Sequence, residues 1–218
     1  MRQTWRQLTF LHWPYSADDV RQLLPAGLEL DTFDAQAWVG LIPFTIHHLT
    51  GFRPFPETNV RTYVIGPDGG RGVWFFSLDA ARLLAVIGAR VGYGLSYYWS
   101  TMRVAMEGRR IRYQSRRKWP HHRAPTNILV EPGNLYTAAE LGPRDHFLTA
   151  RYCLYTIRRG RVVRAQIEHD PWPLARARVV EANDTLIQAA GLRPPAGAAL
   201  AHYSADIDVK IGYPRACG

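Results

Sequence analysis

The sequence predicts an α+β protein built mainly on antiparallel strands, which form a curved sheet or barrel around a cavity. Three observations favour this fold class. Two pairs of long segments are joined by short glycine-containing turns, as in hairpins. Segments with helical caps are few and short. Glycine (18 residues) and proline (15 residues) are spread along the chain, which indicates many short elements and a single domain over residues 1–218.

The first third of the chain is predicted to hold one short helix followed by strands. Ser16 caps the helix, acidic residues occupy its first turn, and Pro25 stops it. A strand is expected from Ala35 to Ile46. In the next strand, from Glu57 to Val64, odd-numbered and even-numbered residues face opposite sides.

A central strand and a buried helix are expected next. Val73 to Leu78 is apolar at nearly every position, as in a strand covered on both faces. Asp79 is placed to cap a helix from Ala80 to about Arg90. Because this segment is apolar nearly all round, the helix is expected to be buried.

The second half of the chain is predicted to contain two hairpins, a helix and a last strand. Asn183 is expected to cap the helix, over about residues 184–190, and the last strand covers about residues 206–211. The hairpin strands are expected at about 96–107 with 110–119, and at about 151–158 with 161–168.

The formal net charge is +9, and 25 of the cations are arginines against two lysines, Lys118 and Lys210. Two interpretations stand. A GC-rich genome places arginine on solvated strand faces, and a polyanion-binding surface also needs arginine. We favour the first, so nucleic acid is not an expected partner. The oligomeric state is left open.

Composition also limits location. No window of 18 apolar residues occurs, so neither a transmembrane helix nor a membrane partner is expected. Cys153 and Cys217 are too few for a disulfide framework. A reduced, cytoplasmic protein is therefore predicted.

No motif predicts a metal ion or a cofactor. The adjacent histidines at 47–48 and at 121–122 would point to opposite faces of a strand, which is not metal-ligand spacing. The glycine-rich loop Gly66–Gly72 is not followed by a helix start that could hold phosphate, and no Gly-x-Ser-x-Gly turn occurs.

The strongest candidate site is one face of the Glu57–Val64 strand, which carries Glu57, Asn59, Arg61 and Tyr63. If this face lines a pocket, Arg61 is a clamp for a substrate carboxylate and Glu57 is a general base. The pKa of Glu57 would then be raised by burial or lowered by Arg61. A solvated strand face, or a buried Glu57–Arg61 pair that holds register, explains the same residues equally well.

Other segments offer functional side chains with weaker support. Tyr97, Tyr98 and Trp99 supply phenol donors and an aromatic wall, or simply pack. Lys118 lies beside arginines that would depress its pKa and favour an amine nucleophile, although three adjacent cations are more typical of an exposed strand end. His169 is expected to hydrogen-bond to the backbone rather than act as an acid or base.

Five segments form a recognisable set: Arg53–Val64 (RPFPETNVRTYV), Gly72–Ala80 (GVWFFSLDA), Arg151–Tyr155 (RYCLY), His169–Trp172 (HDPW) and Tyr203-Ser204. Together they resemble the YqjF-like family of uncharacterised bacterial proteins, over nearly the whole chain. The resemblance implies a fold similar to that of acetoacetate decarboxylase, in which antiparallel strands curve into a cone or barrel around a central pocket. It implies no activity, because the family has none established.

One segment can be compared with the decarboxylase directly. Gly88 to Tyr98 is similar to the stretch that carries the decarboxylase's Schiff-base lysine pair after a Tyr-Gly turn. Here Tyr97 and Tyr98 occupy the lysine positions, and tyrosine cannot form an imine with a keto acid. Glu57 and Arg61 match the decarboxylase's pocket glutamate and arginine more loosely.

We therefore expect a small carboxylate or keto compound to bind between Arg61, Glu57 and the Tyr97/Tyr98 strand. Any chemistry is expected to be proton transfer beside a carbonyl, with Arg61 stabilising the negative charge. Whether the protein is an enzyme is left open. The alternatives are an inert ligand sensor or structural protein, a nucleic-acid binder, and an imine enzyme that uses Lys118.

Overall fold

The computed structural model describes residues 1–120 and 124–217, in which strands dominate. Four α-helices are present there: α1 (Ala17–Arg21), α2 (Leu83–Tyr93), α3 (Pro143–Thr149) and α4 (Leu186–Ala189). The strands of these residues are β1 (Arg2–Tyr15), β2 (Glu29–Leu30), β3 (Ala37–His47), β4 (Phe55–Ile65), β5 (Arg71–Ala80), β6 (Tyr97–Glu107), β7 (Arg110–Trp119), β8 (Pro125–Leu135), β9 (Cys153–Arg158), β10 (Arg161–Glu168), β11 (Ala175–Asp184), β12 (Leu200–Ile211) and β13 (Arg215–Ala216).

The strands form one large mixed sheet in the order β13-β10-β9-β5-β6-β7-β8-β11-β12-β1-β3-β4-β2. Neighbouring strands run antiparallel except where β5 meets β6 and β9, which are parallel to it. Two further pairings, β4 with β5 and β10 with β12, join distant parts of this order. The sheet therefore curves round into a partial ring, as the predicted fold class requires.

Strands β1, β3 and β4, which we call the shared wall, are buried over most of their length. On one face, Leu41 and Val60 pack in a core that includes Ile128 of β8. On the other face, Phe44 packs in a second core that includes Val86 of α2. The site described below lies on this second face.

Both predicted hairpins are confirmed. Strand β6 pairs with β7 and β9 with β10, each antiparallel around the expected turn. The turn glycines Gly108 and Gly160 adopt φ of 62° and 74°, in the left-handed region that glycine enters without strain. Ser16 caps α1 by accepting a hydrogen bond from the Asp19 amide at 3.2 Å.

The helix expected from Ala80 to Arg90 is wrong in its start and in its burial. Asp79 does not cap it, because Asp79 belongs to β5 and is fully buried there. The helix begins at Leu83, and only Val86 of its residues is buried. Its apolar outer face is exposed to solvent, contrary to the expectation of a helix buried all round.

The expected cap of the last helix is also wrong. Asn183 lies in β11 and donates to Glu181. The carboxylate of Asp184 instead accepts hydrogen bonds from the amides of Leu186 and Ile187, at 3.0 and 3.1 Å. An aspartate is as good a cap as an asparagine, so the sequence could not choose between neighbours.

Two remaining expectations concern membranes and metals. Each helix in the described residues is too short to cross a bilayer. Within the same residues, no three His, Cys, Asp or Glu side chains are grouped as metal ligands. The histidines at 121–122 lie outside the described residues, and the expected absence of a metal stays a prediction.

Candidate functional site

A cavity of about 480 Å³ lies between the shared wall and helix α2. This volume is within the range of about 300 to 1,000 Å³ that is typical of small-molecule sites. The side chains around it are mostly apolar, with a few polar groups. The lining includes Trp5, Phe44, Ile46, Phe52, Phe55, Glu57, Asn59, Phe75, Leu78, Leu84, Ala85, Tyr93, Tyr97 and Tyr213.

Among the residues that the structure describes, Glu57 is the one acidic side chain in the cavity lining. It is only 4% exposed, and its Oε2 accepts a hydrogen bond of 2.9 Å from the Tyr97 hydroxyl. Burial raises the pKa of Glu57 to about 8, and the nearby Asp79 charge adds to this while the Tyr97 hydrogen bond opposes it. The carboxyl group therefore keeps its proton at neutral pH in most molecules.

Tyr97 faces the cavity from the start of β6. Burial and the neighbouring Glu57 raise its pKa well above the ordinary value of a phenol, so its hydroxyl is a donor throughout the neutral range. The arrangement places two proton-bearing oxygens side by side in an apolar enclosure. Such a pair can donate hydrogen bonds to a carbonyl oxygen and can exchange a proton with a ligand.

Asn59 lies two residues along the same face of β4 and also lines the cavity. Its side chain is 4% exposed, and Oδ1 has no hydrogen-bond partner in the described part of the chain. Buried amide oxygens are normally hydrogen-bonded. Asn59 therefore borders the cavity with an amide oxygen that no described residue satisfies.

Arg61 and Tyr63 continue the same face but do not line the cavity. The Arg61 guanidinium donates to the carbonyl oxygen of Leu148 at 3.1 Å, and the Tyr63 hydroxyl donates to the same oxygen at 2.7 Å. The ring of His12 lies 2.6 Å from that hydroxyl. Both side chains thus hold the last turn of α3 against the shared wall.

The buried Glu57–Arg61 pair, one of the alternatives to a pocket-lining face, does not form. Among the described residues Arg61 has no carboxylate within ion-pair distance, and its charge is absent from the causes of the Glu57 shift. Of the two opposite effects foreseen for the pKa of Glu57, burial prevails. The four residues predicted to share a face do share it, and the structure divides them between a cavity and a packed region.

Tyr98 points away from Tyr97, as alternate residues of a strand do. Its ring lies against the Arg117 guanidinium, with Cζ 3.5 Å from the ring centroid. Arg117 in turn forms a fully buried pair with Asp79, donating from Nε at 2.9 Å and from Nη2 at 2.7 Å. This pair, which sequence reasoning missed, belongs to the opposite side of the sheet from the cavity.

Lys118 and His169 also lie outside the cavity lining. The ammonium group of Lys118 is exposed and sits 4.7 Å from the centroid of the Trp99 ring. The His169 ring nitrogen Nδ1 is 2.7 Å from the Asp170 carbonyl oxygen. His169 therefore has the backbone hydrogen bond that the sequence led us to expect.

The arginines of the β6–β7 hairpin meet carboxylates on their own surface. Arg112 donates to Glu107 at 2.6 Å and to Glu181 at 2.9 Å, and Arg110 donates to Glu131 at 3.2 Å. These contacts fit a solvated strand face. The exclusion of nucleic acid stays a prediction.

Sequence reasoning missed most of the apolar lining. Trp5 and Phe44 come from β1 and β3, Phe75 from β5, and Leu84 and Ala85 from α2. The lining residues on the strands could have been predicted from the alternation of side chains, had β1 been recognised as a strand. The contribution of α2 had no comparable signal, because the helix is apolar on both its inner and its outer side.

The chain is similar to a bacterial protein in sequence and to two solved enzymes in structure. A relative, the uncharacterized protein YqjF of Bacillus subtilis, is 39% identical over 217 residues, covering 96% of this chain and 89% of the relative. The enduracididine biosynthesis enzyme MppR complexed with pyruvate has a TM-score of 0.67 at 12% identity, over 100% of this chain and 90% of that one. Acetoacetate decarboxylase from Legionella pneumophila has a TM-score of 0.65 at 13% identity, over 99% and 87%.

The two structural likenesses confirm the expected fold, that of acetoacetate decarboxylase. The sequence profile of the DUF2071 family, described as an uncharacterized conserved protein, matches residues 2–208. The chain therefore belongs to the DUF2071 family, of which YqjF is a relative.

Proposed function

We propose that the cavity binds a small keto compound with an apolar body, and that Glu57 moves a proton at the carbon next to its carbonyl group. The observation that carries this proposal is the buried Glu57 carboxyl, held by Tyr97 in a cavity lined mainly by apolar side chains. A carboxyl group whose pKa is about 8 is matched to acid–base work near neutral pH.

The proton transfer uses two groups. The carboxylate form of Glu57 takes the proton from the carbon, and the electron pair of that C–H bond forms the carbon–carbon double bond of an enolate. The Tyr97 hydroxyl turns to the carbonyl oxygen and stabilises the charge that develops there. Glu57 then returns the proton to carbon, so the net result is exchange or isomerisation.

The charge-stabilising role expected of Arg61 passes to Tyr97 in this proposal. Arg61 is committed to the Leu148 carbonyl, whereas Arg2 and Gln3 line the cavity and belong to β1. The cavity therefore favours the keto alternative over a carboxylate clamped by Arg61. A carboxylate on the ligand is accommodated best beside the exposed Arg2.

Imine chemistry has no support at this site. Tyr97 stands where the resemblance placed a lysine, and Lys118 is on the exposed face over Trp99. The solved MppR complex with pyruvate shows that a protein of this fold can hold a keto acid. For the present chain this supports the class of ligand only.

The test is exchange of the ligand's α-hydrogens in D2O, followed by proton NMR on a panel of ketones and keto acids. The wild type is expected to accelerate exchange, with a rate that rises toward pH 8 and then levels as Glu57 ionises. Glu57→Gln should abolish the acceleration, and Tyr97→Phe should reduce it. Tyr98→Phe is the matched control, because Tyr98 faces Arg117 instead of the cavity.

Two results would overturn the assignment of chemistry. One is exchange at the buffer rate across the whole panel, and the other is acceleration that survives in Glu57→Gln. A thermal-shift screen on the same proteins separates binding from chemistry, since a ligand at 100 times its Kd adds about 2.7 kcal/mol to stability. Binding without exchange would make the protein an inert ligand sensor.

A further inference from the structure

The outer face of α2 is an apolar stripe open to solvent. Leu84, Ile87 and Val91 follow one another at helical spacing, and they are 72%, 45% and 75% exposed. Leu83 beside them is also exposed. Single exposed apolar residues are common on proteins, whereas a contiguous row of large ones marks a surface that is covered in use.

Aromatic side chains border this stripe at both sides. Tyr213 is 79% exposed and stacks on Tyr93, with ring centroids 6.4 Å apart. Trp119 is 45% exposed and lies under the Arg90 guanidinium, 5.3 Å from the ring centroid. Tryptophan and tyrosine at the rim of an apolar surface are characteristic of the boundary between water and lipid.

The fringe of the stripe is cationic. Arg82 precedes α2 and Arg90 lies in its last turn, both exposed. Arg158 packs against the end of the helix, where a Cβ on Gly94 would lie 3.0 Å from its Cγ. No acidic residue occurs from residue 80 to residue 106, so no carboxylate of this segment neutralises the fringe.

We propose that this surface, made of the α2 stripe with its aromatic and arginine border, docks on an anionic lipid bilayer. An apolar helical face that enters the interface, flanked by arginines that meet lipid headgroups, is the composition of a peripheral membrane element. The composition excludes a helix that crosses the bilayer, but docking on the bilayer surface does not require such a helix. The proposal therefore differs from our expectation that a membrane is not a partner.

A second copy of the chain fits this surface less well. A two-fold contact through α2 would bring the arginine pair Arg82 and Arg90 toward the same pair of the other copy, with no acid from residues 80–106 between them. A bilayer that carries negative charge satisfies the arginines and covers the stripe together. Leu84 and Tyr213 both line the cavity and are largely exposed, so the cavity opens within the docking surface.

The test is co-sedimentation of the full chain with vesicles of phosphatidylglycerol mixed with phosphatidylcholine, and with vesicles of phosphatidylcholine alone. We expect binding to the charged vesicles at least about tenfold stronger than to the neutral ones. The double variant Leu84→Asp with Val91→Asp should lose this binding. Both positions are exposed, so the fold tolerates the change.

Leu135→Asp is the matched control, since Leu135 is 65% exposed and lies at the end of β8, outside the docking surface. It should bind as the wild type does. Absence of binding to charged vesicles would overturn the proposal, as would equal binding by the double variant. A wild-type dimer in light scattering that the double variant makes monomeric, without vesicle binding, would assign the surface to a second copy instead.

Discussion

Glu57 and Asp79 are two buried carboxyl groups on neighbouring strands, and their surroundings are opposite. Asp79 is fully buried and accepts from both Arg117 and the Ser100 hydroxyl, at 2.6 to 2.9 Å. Glu57 is nearly as buried and accepts from Tyr97, with no guanidinium or ammonium bound to it in the described chain. The Arg117 guanidinium compensates the negative charge of Asp79, whereas Glu57 is stable chiefly as a neutral acid.

This contrast separates a structural carboxylate from a candidate functional one. A buried charge is expensive unless it is paired, so a fold that needs only rigidity pairs it. A buried carboxyl left without a cation and facing open space has a shifted pKa, and such groups are concentrated at functional sites. The same reasoning distinguishes Asn59, which faces the cavity, from Arg61, which holds α3.

The largest effect is expected from removing the cation on the Asp79 side. Arg117→Ala leaves Asp79 buried without its partner and should cost about 3 to 5 kcal/mol of unfolding free energy. Urea titration measures the change. Arg116→Ala, one residue away but exposed, is the control and should stay within about 0.5 kcal/mol. A small effect of Arg117→Ala would contradict the structural role of the Asp79–Arg117 pair.

The second effect concerns the pH dependence of stability. The pKa of Glu57 is higher in the folded than in the unfolded protein, so its contribution to stability is complete below the unfolded pKa and is lost as pH rises to about 8. The slope approaches 1.4 kcal/mol per pH unit at most. Tm should therefore fall more steeply in the wild type than in Glu57→Gln between pH 5 and pH 8, and parallel curves would contradict the neutral state of Glu57.

A third, smaller effect tests the region beyond the cavity. Arg61→Met removes a charged donor from the Leu148 carbonyl while keeping a long side chain, and should cost about 1.5 to 3 kcal/mol. Thermal unfolding measures it. Exchange activity of the folded variant should be unchanged if Arg61 serves α3, whereas a selective loss of exchange at wild-type Tm would restore the carboxylate clamp.

The smallest effect is expected at Lys118. Its exposed ammonium lies over the Trp99 ring, so Lys118→Ala should change stability by about 0.5 kcal/mol or less. Treatment of the wild type with borohydride and pyruvate should give no mass adduct at this residue. A stable adduct lost in Lys118→Ala would revive the imine alternative.

Much of the fold could be predicted from local pattern. The hairpins could be predicted because each joins two segments of alternating polarity at a glycine turn. The Glu57–Tyr63 face could be predicted because successive side chains of a strand point to opposite sides of the sheet. Strands β1, β8 and β11 could not be predicted in this way. Gln7 adopts a positive φ within β1, and Pro132 and Gly133 interrupt β8. Their conformation is set by pairing with partners distant in the sequence.

The sequence predicts which residues share the strand face that carries the candidate site, but it does not predict which of them line the cavity. Alternation places Glu57, Asn59, Arg61 and Tyr63 on one face, but it does not say which of them meets a cavity and which meets α3. That division depends on where α2 and α3 cross the sheet. The pairing of Asp79 with Arg117 joins β5 to β7 across 38 residues, and local pattern carries no information about it.

The shared wall has a consequence for how the site tolerates change. A strand with one solvated face can slip by a residue at modest cost, because only one core resists. In β4 a slip would turn Thr58 and Val60 toward the cavity and drive Glu57 and Asn59 into the opposite core. The cores on the two faces of the strand therefore both resist a change of register. Packing on both faces of β4 therefore fixes the position of the Glu57 carboxyl.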